Sequence, residues 1–501
     1  MQWKRVGVSR LFSGVVWTAA TLGCGPAPRP VKVEPSYKGI VVRIACPDET
    51  TAALAAAAAP GWADGRQARV ETALYDPRQG PDGDAAADVW VIRPAEMPHW
   101  AAAGRLARAP ADVTAADGGS TWNGLLPLYR DNLLLWDRTV YALPLRGAAP
   151  VCFYRSDFFG DAGRRSGYEA KYGRKLAPPR TWDDFADIAE YYQGPSGGLA
   201  HSLPPLPRDD AELDREFLTI ASGYARRMMV ADEPAGADRD QELFGFYYDL
   251  QTGKPRIAGP GFVRALALMQ QLQKCRPAEA SPAPADAFQQ GQAVLCLADA
   301  SRLTDFQTGQ DTKVRDCFGL CRTPAAPCYY PPDGGECRPA PDGNWVPYLG
   351  ADAWLAVVPK DAPHSDAAFS LLADLCSRET SDQIVIGARF GGDPIRAEQL
   401  EEQTSWAGFE LKPDAVKALR DTLRETLLHR GMENPVFPLR TPDQAAHRAV
   451  LDAALRMALN SPGADPKKAL EEVGRRWEEM DRAKGAPHLS EYRLSVGLLA
   501  D

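Results

Sequence analysis

The segment 141–156, YALPLRGAAPVCFYRS, contains two side chains that suit the binding of a small polar ligand. Its pattern predicts a polar-tipped turn that leads into a short strand ending on an aromatic residue. Arg146 and Tyr154 would then lie toward the two ends of one crossing segment. A guanidinium donates charge-assisted hydrogen bonds, and a phenol offers a ring face and a hydroxyl. The alternatives are a surface ion pair for Arg146 and core packing for Tyr154.

Polar residues also follow the apolar runs of the N-terminal part, which are predicted as strands at 40–45, 70–74 and 89–92. Helical segments between these strands predict a parallel sheet, whose ligand sites lie beyond the carboxyl ends of the strands. Asp48 follows the first strand and Arg93 follows the third. For Asp48 the alternative role is to cap the next helix.

A similar arrangement occurs farther along the chain. The run 293–297 is predicted as a buried strand, and Asp299 and Ser301 follow it. Both side chains could reach a ligand from the end of that strand. Helix capping is the alternative for both, since aspartate and serine favour that position.

The sequence matches one catalytic motif in letters only: 194–198 (GPSGG) fits Gly-x-Ser-x-Gly, but it follows a predicted helix and not a strand, which favours a flexible loop over a nucleophile elbow. The sequence lacks the phosphate-binding Gly-x-x-x-x-Gly-Lys and the zinc-protease His-Glu-x-x-His. The six histidines, at positions 99, 201, 364, 429, 447 and 488, are scattered without metal-ligand spacing. We therefore predict no catalytic residue, no metal and no cofactor.

The N-terminus has the three parts of a secretory signal. Lys4, Arg5 and Arg10 precede an uncharged run over 11–22, which is too short to span a bilayer as a mature helix. The residues 21–24, Thr-Leu-Gly-Cys, resemble a bacterial lipobox, in which Cys24 would become the lipid-bearing first residue. The alternative is an ordinary signal peptide. We expect an exported protein held on a membrane surface through this lipid.

The rest of the chain has the composition of an acidic globular protein of more than one lobe. Removing residues 1–23 takes away three of the 57 basic residues and none of the 66 acidic ones, which moves the net charge from −9 to −12. Nucleic-acid binding requires clustered cations, and the sequence shows no basic stripe. We expect no nucleic-acid partner.

The ten cysteines suit an exported protein. Four of them crowd into a proline-rich stretch that looks like a loop: Cys317, Cys321, Cys328 and Cys337. Two disulfides there would staple a segment with few apolar residues of its own, and a four-thiolate zinc site is the less favoured alternative. The remaining thiols in apolar runs, Cys46, Cys152, Cys296 and Cys376, are predicted to be buried small hydrophobic residues.

Several local patterns, taken in order, resemble the extracellular solute-binding proteins of bacterial ABC importers, in the group that includes maltose-binding and other sugar-binding lipoproteins. Besides the signal with Cys24 and the crossing segment, they are 88–92 (DVWVI), 179–184 (PRTWDD), 288–293 (FQQGQA), 350–354 (GADAW) and 465–470 (DPKKAL). Each pattern is degenerate alone, but their order and spacing extend over most of the chain beyond the signal.

The resemblance implies an α/β fold of the type II periplasmic-binding-protein class, with two α/β lobes joined by crossing hinge segments. The predicted organisation is a signal peptide at 1–23, a linker at 24–38, a discontinuous first lobe at 39–148 and 346–440, a second lobe at 149–345 with a cysteine-rich insertion at 304–344, and C-terminal helices at 441–501. The cleft between the lobes would hold a small polar solute, most simply a saccharide, without chemical change.

The resemblance also bears on individual residues. It places Tyr154 facing the cleft, and it places Asp352 and Trp354 at the start of a strand beside the cleft. Trp354 could stack under a sugar ring, or it could belong to the core with its apolar neighbours. The implied partners are the solute and the membrane subunits of the importer.

Two departures from the family pattern keep other functions open. The region 304–344 is longer and richer in cysteine than the family requires, and 194–250 matches no motif of the family. One alternative is an exported carbohydrate hydrolase, which would need two carboxyl groups across a cleft. Another is a surface lipoprotein that uses the same fold for protein contact.

Overall fold

The computed structural model describes residues 36–77, 79–81, 87–114, 120–194, 198–229, 239–332, 334–385, 393–401, 411–428, 434–485 and 487–498. The predicted signal, Cys24 and most of the linker lie outside these residues. Within the described part of the chain, no helix is long and apolar enough to cross a membrane.

Strands and helices alternate through much of the chain. The strands are β1 (Val41–Cys46), β2 (Arg69–Leu74), β3 (Val89–Ile92), β4 (Leu135–Trp136), β5 (Thr139–Val140), β6 (Ala142–Arg146), β7 (Pro150–Arg155), β8 (Leu295–Asp299), β9 (Phe318–Arg322), β10 (Ala326–Tyr329), β11 (Arg338–Asn344) and β12 (Trp354–Val357). The helices are α1 (Glu49–Ala58), α2 (Pro60–Arg66), α3 (Met97–Ala102), α4 (Ala111–Thr114), α5 (Ser120–Asn123), α6 (Ser156–Gly160), α7 (Ala162–Tyr172), α8 (Trp182–Tyr192), α9 (Asp210–Ala225), α10 (Arg239–Phe244), α11 (Pro260–Leu272), α12 (Ala285–Gln289), α13 (Leu303–Thr308), α14 (Ser365–Leu375), α15 (Arg378–Val385), α16 (Glu398–Glu401), α17 (Pro413–Leu427), α18 (Gln444–Asn460), α19 (Pro466–Lys484) and α20 (Pro487–Ser495).

The first lobe is built on a sheet in which five described strands lie in the order β2-β1-β3-β12-β6. β1 is parallel to both β2 and β3, as predicted, whereas β12 is antiparallel to β3 and to β6. The prediction of parallel pairing is therefore confirmed for the three N-terminal strands that it covered, and β12 adds an antiparallel strand to them. The chain leaves the first lobe at the end of β6 and returns to the same edge of the sheet, so β12 must run in the opposite direction.

The second lobe is built on the sheet β8-β7-β9, in which the described strands are all antiparallel. β9 lies inside the region 304–344, which the sequence predicted as a loop-like insertion. That prediction was wrong for β9, because its backbone pairs with the central strand of the sheet. Beyond it, β10 and β11 pair as an antiparallel ribbon.

The four clustered cysteines do not act as one group. Cys328 and Cys337 are joined as a disulfide, whereas Cys317 and Cys321 carry free thiols. The structure therefore contradicts the expectation of two disulfides within this cluster, and the four thiolates do not converge on a zinc site. Four other cysteines are buried as predicted: Cys46, Cys152, Cys296 and Cys376.

One apolar core surrounds the first sheet and continues onto one face of the second sheet through Val151 and Phe153, and a second core covers the other face. The second core is centred on α8, α9 and α11, and it also takes in apolar side chains of the last helices: Leu451 and Leu455 of α18, and Leu470, Val473 and Trp477 of α19. The C-terminal helices are therefore packed against the second lobe.

Two of the patterns that carry the family resemblance, 179–184 and 465–470, contain the capped start of a helix. The Thr181 hydroxyl accepts the N–H of Asp184 at 3.1 Å, and the Asp184 carboxylate accepts the N–H of Thr181 at 3.0 Å. This capping box begins α8. Asp465 caps α19 by accepting the N–H of Lys467 at 2.9 Å, and Pro466 occupies the first turn.

Two carboxyl groups and one guanidinium lie between α18 and α9. Arg448 donates to Asp214 at 3.0 Å, and its Nε lies 3.9 Å from the carboxylate of Asp452. Burial raises the pKa of Asp214 to about 6. Burial, together with the Asp214 carboxylate, raises the pKa of Asp452 to about 8. At neutral pH Asp452 is therefore largely protonated in the folded protein.

We expect this group to make the protein less stable as the pH rises. An unfolded aspartate ionises near pH 4, so folding takes up a proton at Asp452 between about pH 4 and pH 8. The contribution of Asp452 to stability is fully present below the pKa of the unfolded aspartate. It is lost as the pH rises through the pKa of Asp452 in the folded protein. Asp452→Asn mimics the protonated form, so it should match wild type near pH 4, and its advantage over wild type should grow by roughly 1–3 kcal/mol between pH 5 and pH 8.

Thermal unfolding measured between pH 5 and pH 8 tests this expectation. Asp183→Asn is the matched control, because the Asp183 side chain is 56% exposed and pairs with Arg264 at the surface. Its curve should run parallel to that of wild type. If the Asp452→Asn curve also stayed parallel to wild type, the pKa assigned to Asp452 would be wrong.

Candidate functional site

The pairing of the first sheet brings several predicted residues to one edge. β3 ends at Ile92, immediately before Arg93, and β6 ends at Arg146. β12 runs in the opposite direction, and its first residue, Trp354, lies opposite Arg146. Asp48 follows β1 at the same edge. Its Oδ1 accepts the N–H of Thr51 at 2.7 Å, so the capping role is real and coexists with this location.

The second sheet presents an edge of its own to the first. Pro150 begins β7 and pairs with Asp299 at the end of β8, and Ser301 follows shortly after. Since only a few residues separate Arg146 from Pro150, the chain crosses directly between the two edges. Gly147 allows this crossing, because a Cβ there would collide with the backbone oxygens of residues 393 and 394.

A cavity of about 330 Å³ lies between these two edges. Its walls include seven of the eight residues that the sequence predicted to bind ligand: Asp48, Arg93, Arg146, Asp299, Ser301, Asp352 and Trp354. The structure thus brings together residues that are up to 306 positions apart in the chain. That they contact a ligand stays a prediction.

A second cavity of about 340 Å³ adjoins the first and extends toward the C-terminal helices. The two cavities share the side chains of Asp48, Arg93, Asp352 and Trp354. These residues therefore form a partition within one larger cleft. The second cavity is also lined by Tyr247, Tyr348 and Trp477, which makes it the more aromatic of the two.

Asp352 lies at the centre of a charged network between the lobes. Arg93, from the first lobe, places its Nη1 3.7 Å from Oδ1 of Asp352. Arg215, on α9 of the second lobe, contacts Oδ2 of Asp352 and lies 3.4 Å from the carboxylate of Asp299. The four side chains are 15–32% exposed. Partial burial makes such pairs stronger than surface ion pairs, so this network connects the two lobes.

Arg93 also covers one face of the Trp354 ring. Its guanidinium carbon lies 3.6 Å from the ring centroid, which is a close cation–π contact. Burial lowers the pKa of Arg93 to about 10, so the side chain stays cationic at neutral pH. A sugar could not stack on this face of Trp354 unless Arg93 moved away.

Arg146 has a less charged environment than Arg93. It donates to the Ser301 hydroxyl at 3.3 Å, which is another contact between the lobes. The neighbouring carboxyl of Asp393 is buried, and burial together with the nearby Asp299 carboxylate raises the pKa of Asp393 well above its usual value. Arg146 opposes this shift, so its guanidinium lies close enough to Asp393 to act on the carboxyl.

Tyr154 is the predicted residue that the structure places outside this cavity. Its ring lies 5.0 Å from that of Phe159 and packs over Gly319 on the neighbouring strand. On β7 the cavity is lined by Pro150 and Val151, and Tyr154 is not among the lining residues. Core packing, the alternative kept open from the sequence, describes its environment.

The sequence did not identify several of the residues that line the first cavity. Four of them share one face of α9: Glu212, Arg215, Glu216 and Thr219. Their helical spacing was visible as a polar stripe, but no local signal linked this helix to the distant strand ends. Asp393 had no comparable signal, because only the close approach to Gly147 places it in the wall.

The histidines are less scattered in the structure than in the sequence. His447, His488 and Asp443 place possible ligand atoms within 4.8 Å of one another. However, Nε2 of His447 lies 2.7 Å from Asp481, and Nζ of Lys484 lies 3.3 Å from Asp443. Burial alone would lower the pKa of His447, but the contacts with Asp481 and Asp443 raise it overall. Asp481 and Asp443 thus already have partners within the protein, namely His447 and Lys484. That the protein binds no metal stays a prediction.

Comparisons with known proteins agree with this architecture. The family model described as bacterial extracellular solute-binding protein matches residues 77–404, well over half of the chain. No curated protein sequence is significantly similar to this chain.

Solved structures of low sequence identity share the fold. Maltose-bound MalE3 of T. maritima superposes with a TM-score of 0.63 at 17% identity, over 88% of this chain and 100% of the other. An ABC transporter solute-binding protein of Agrobacterium radiobacter, in complex with ribitol, gives 0.66 at 17% identity over 89% and 100%. A solute-binding protein of Agrobacterium vitis with bound D-mannitol gives 0.61 at 18% identity over 89% and 99%.

At these identities the superpositions show the fold alone, which is the two-lobed type II arrangement predicted from the sequence. The family model carries the assignment further, because it covers most of both lobes and the crossing between them. The chain therefore belongs to the bacterial extracellular solute-binding proteins.

Proposed function

We propose that this protein captures a small polyhydroxyl solute, a saccharide or a sugar alcohol, and delivers it unchanged to the membrane subunits of an ABC importer. The observation that carries the proposal is the cavity of about 330 Å³ between the two sheet edges, lined by charged side chains from both lobes. The structural relatives that contain maltose, ribitol and mannitol support the chemical class of the solute.

The cavity suits hydroxyl groups because it offers both donors and acceptors. Arg93, Arg146 and Arg215 supply N–H groups, while Asp48 and Asp299 supply carboxylate oxygens. A hydroxyl can donate to one and accept from the other, and hydrogen bonds to charged groups are about twice as strong as neutral ones. A volume near the lower end of the usual range of about 300–1,000 Å³ favours a solute of one or two sugar units.

Binding would stabilise the closed arrangement of the lobes. Arg93 and Arg146 belong to the first lobe, whereas Arg215 and Asp299 belong to the second, so a solute in the cavity contacts both at once. Ligand contacts made only when the lobes approach shift the population toward the closed form.

We expect Arg146→Ala to weaken solute binding by about 10- to 100-fold, because the variant loses one or two charge-assisted hydrogen bonds to the solute. The measurement is isothermal titration calorimetry with a panel of monosaccharides, disaccharides and sugar alcohols, guided by native mass spectrometry of any solute retained on purification. Tyr154→Phe is the matched control, because Tyr154 lies outside the cavity. The affinity of this variant for the solute should equal that of wild type.

Other results of the same titration would contradict the proposal. If Arg146→Ala and wild type bound the solute with equal affinity, the cavity would not be the binding site. Cleavage of an oligosaccharide during the titration would favour the hydrolase alternative, with Asp299 and Asp393 as the carboxyl pair to test. Failure to bind any member of the panel would favour the protein-contact alternative.

Asp352→Asn should favour a more open molecule. The substitution removes the negative charge between Arg93 and Arg215, so that two cations face each other across the cleft without their shared partner. Small-angle X-ray scattering of the solute-free protein should show a larger radius of gyration. Asp48→Asn is the control, since asparagine preserves the helix cap and Asp48 has no part in the network. An unchanged radius for Asp352→Asn would show that the network does not hold the lobes.

We also propose that Cys24 carries a lipid that holds the exported protein at the membrane. Cys24→Ser should move the protein from the membrane fraction to the soluble fraction and abolish labelling with a fatty-acid analogue. Cys317→Ser serves as the control and should change neither result. Continued labelling of Cys24→Ser would contradict the lipobox assignment.

A further inference from the structure

Two free thiols face each other across the sheet of the second lobe. Cys152, on β7, is directly opposite Cys321, on β9, in the antiparallel register. The Cys321 thiol lies 3.6 Å from the backbone oxygen of Cys152. After burial, the nearby Cys321 thiol is the next largest cause of the raised pKa of Cys152. Both side chains lie on the same face of the sheet, against the second core.

The strand geometry already meets the requirements of a disulfide. Residues directly opposite on antiparallel strands have Cα atoms about 4.5–5.5 Å apart. Disulfides usually join Cα atoms about 4.4–6.8 Å apart. Cys152 and Cys321 could therefore be linked by side-chain rotation alone, without movement of the backbone.

The compartment favours oxidation of this pair. The family is extracellular, and disulfides form and persist in oxidising compartments. Within the cysteine cluster of 317–337, Cys328 and Cys337 bond to each other, which leaves Cys317 and Cys321 as free thiols. The thiol that lies opposite Cys321 across the sheet is Cys152, 169 positions earlier in the chain.

We propose that Cys152 and Cys321 form a second disulfide in the exported protein, which staples the start of the cysteine-rich region to the central strand of the second lobe. The oxidant is a disulfide-bearing thiol oxidoreductase of the export compartment. The Cys321 thiolate attacks the oxidant to give a mixed disulfide, and the Cys152 thiolate then attacks the Cys321 sulfur and releases the oxidant as a dithiol. Two protons and two electrons leave the protein.

The order of these steps follows from burial. Cys152 is fully buried, and burial raises the pKa of its thiol well above the usual value. A buried thiol with a raised pKa is a poor nucleophile. Cys321 is only half-buried, so it meets the oxidant first, and the bond closes before the sheet has excluded water from Cys152.

The test uses the full chain exported to an oxidising compartment. The protein is denatured without reductant, alkylated with N-ethylmaleimide, digested and analysed by mass spectrometry. We expect a peptide pair linked through Cys152 and Cys321, and alkylation of the five other thiols: Cys46, Cys275, Cys296, Cys317 and Cys376. Alkylation of Cys152 and Cys321 in most molecules, or a link from Cys321 to Cys317, would overturn the proposal.

Matched variants keep the result interpretable. Cys321→Ser should make Cys152 newly alkylatable, whereas Cys317→Ser should leave the linked peptide unchanged. In a background that carries both Cys328→Ser and Cys337→Ser, a reductant should still lower the melting temperature, because the link between Cys152 and Cys321 remains to be broken. No change on reduction in that background would contradict the proposal. None of these readouts depends on which solute the protein binds.

Discussion

A single carboxylate, Asp352, makes the two lobes depend on each other. It lies at the point where the chain returns to the first lobe, and it receives Arg93 from that lobe and Arg215 from the other. Removing charges from water costs energy that only close partners can offset. The lobes must therefore approach in one register to pair these groups, and the cavity takes its shape from that register.

The position of this network follows from strand direction. The parallel strands β1 and β3 end at one edge of the first sheet, and the antiparallel β12 begins there. Three segments that are far apart in the sequence thus place polar side chains along one edge of the sheet. No sequence signal links these segments to one another. The crossing through Gly147 then holds the second sheet a few residues away.

These facts explain how much the sequence could predict. The strands and residues such as Asp48 and Arg93 were predictable, because each depends on a local pattern and on the rule that sites lie beyond strand ends. The two-lobed fold was predicted from the resemblance to the solute-binding family. Arg215 was not predictable, because its role depends on how α9 packs across the cleft. The resemblance placed Tyr154 facing the cleft, and it could not show that the ring packs against Phe159 instead. The partner of Cys321 depends on pairing between distant strands.

The charge balance of the cavity bears on what it can hold. Arg93 and Arg215 share Asp352, Arg276 contacts Glu216, and Arg302 lies 2.8 Å from Asp286, so these cations already have carboxylate partners. Arg146 instead donates to the Ser301 hydroxyl. A strongly anionic solute would have to break several existing pairs to be neutralised. A neutral polyhydroxyl solute can enter between the paired groups and exchange hydrogen bonds with them, because each hydroxyl both donates and accepts. The ion pairs thus favour neutral solutes, and Arg146 is the cation that a bound hydroxyl would reach with the least rearrangement.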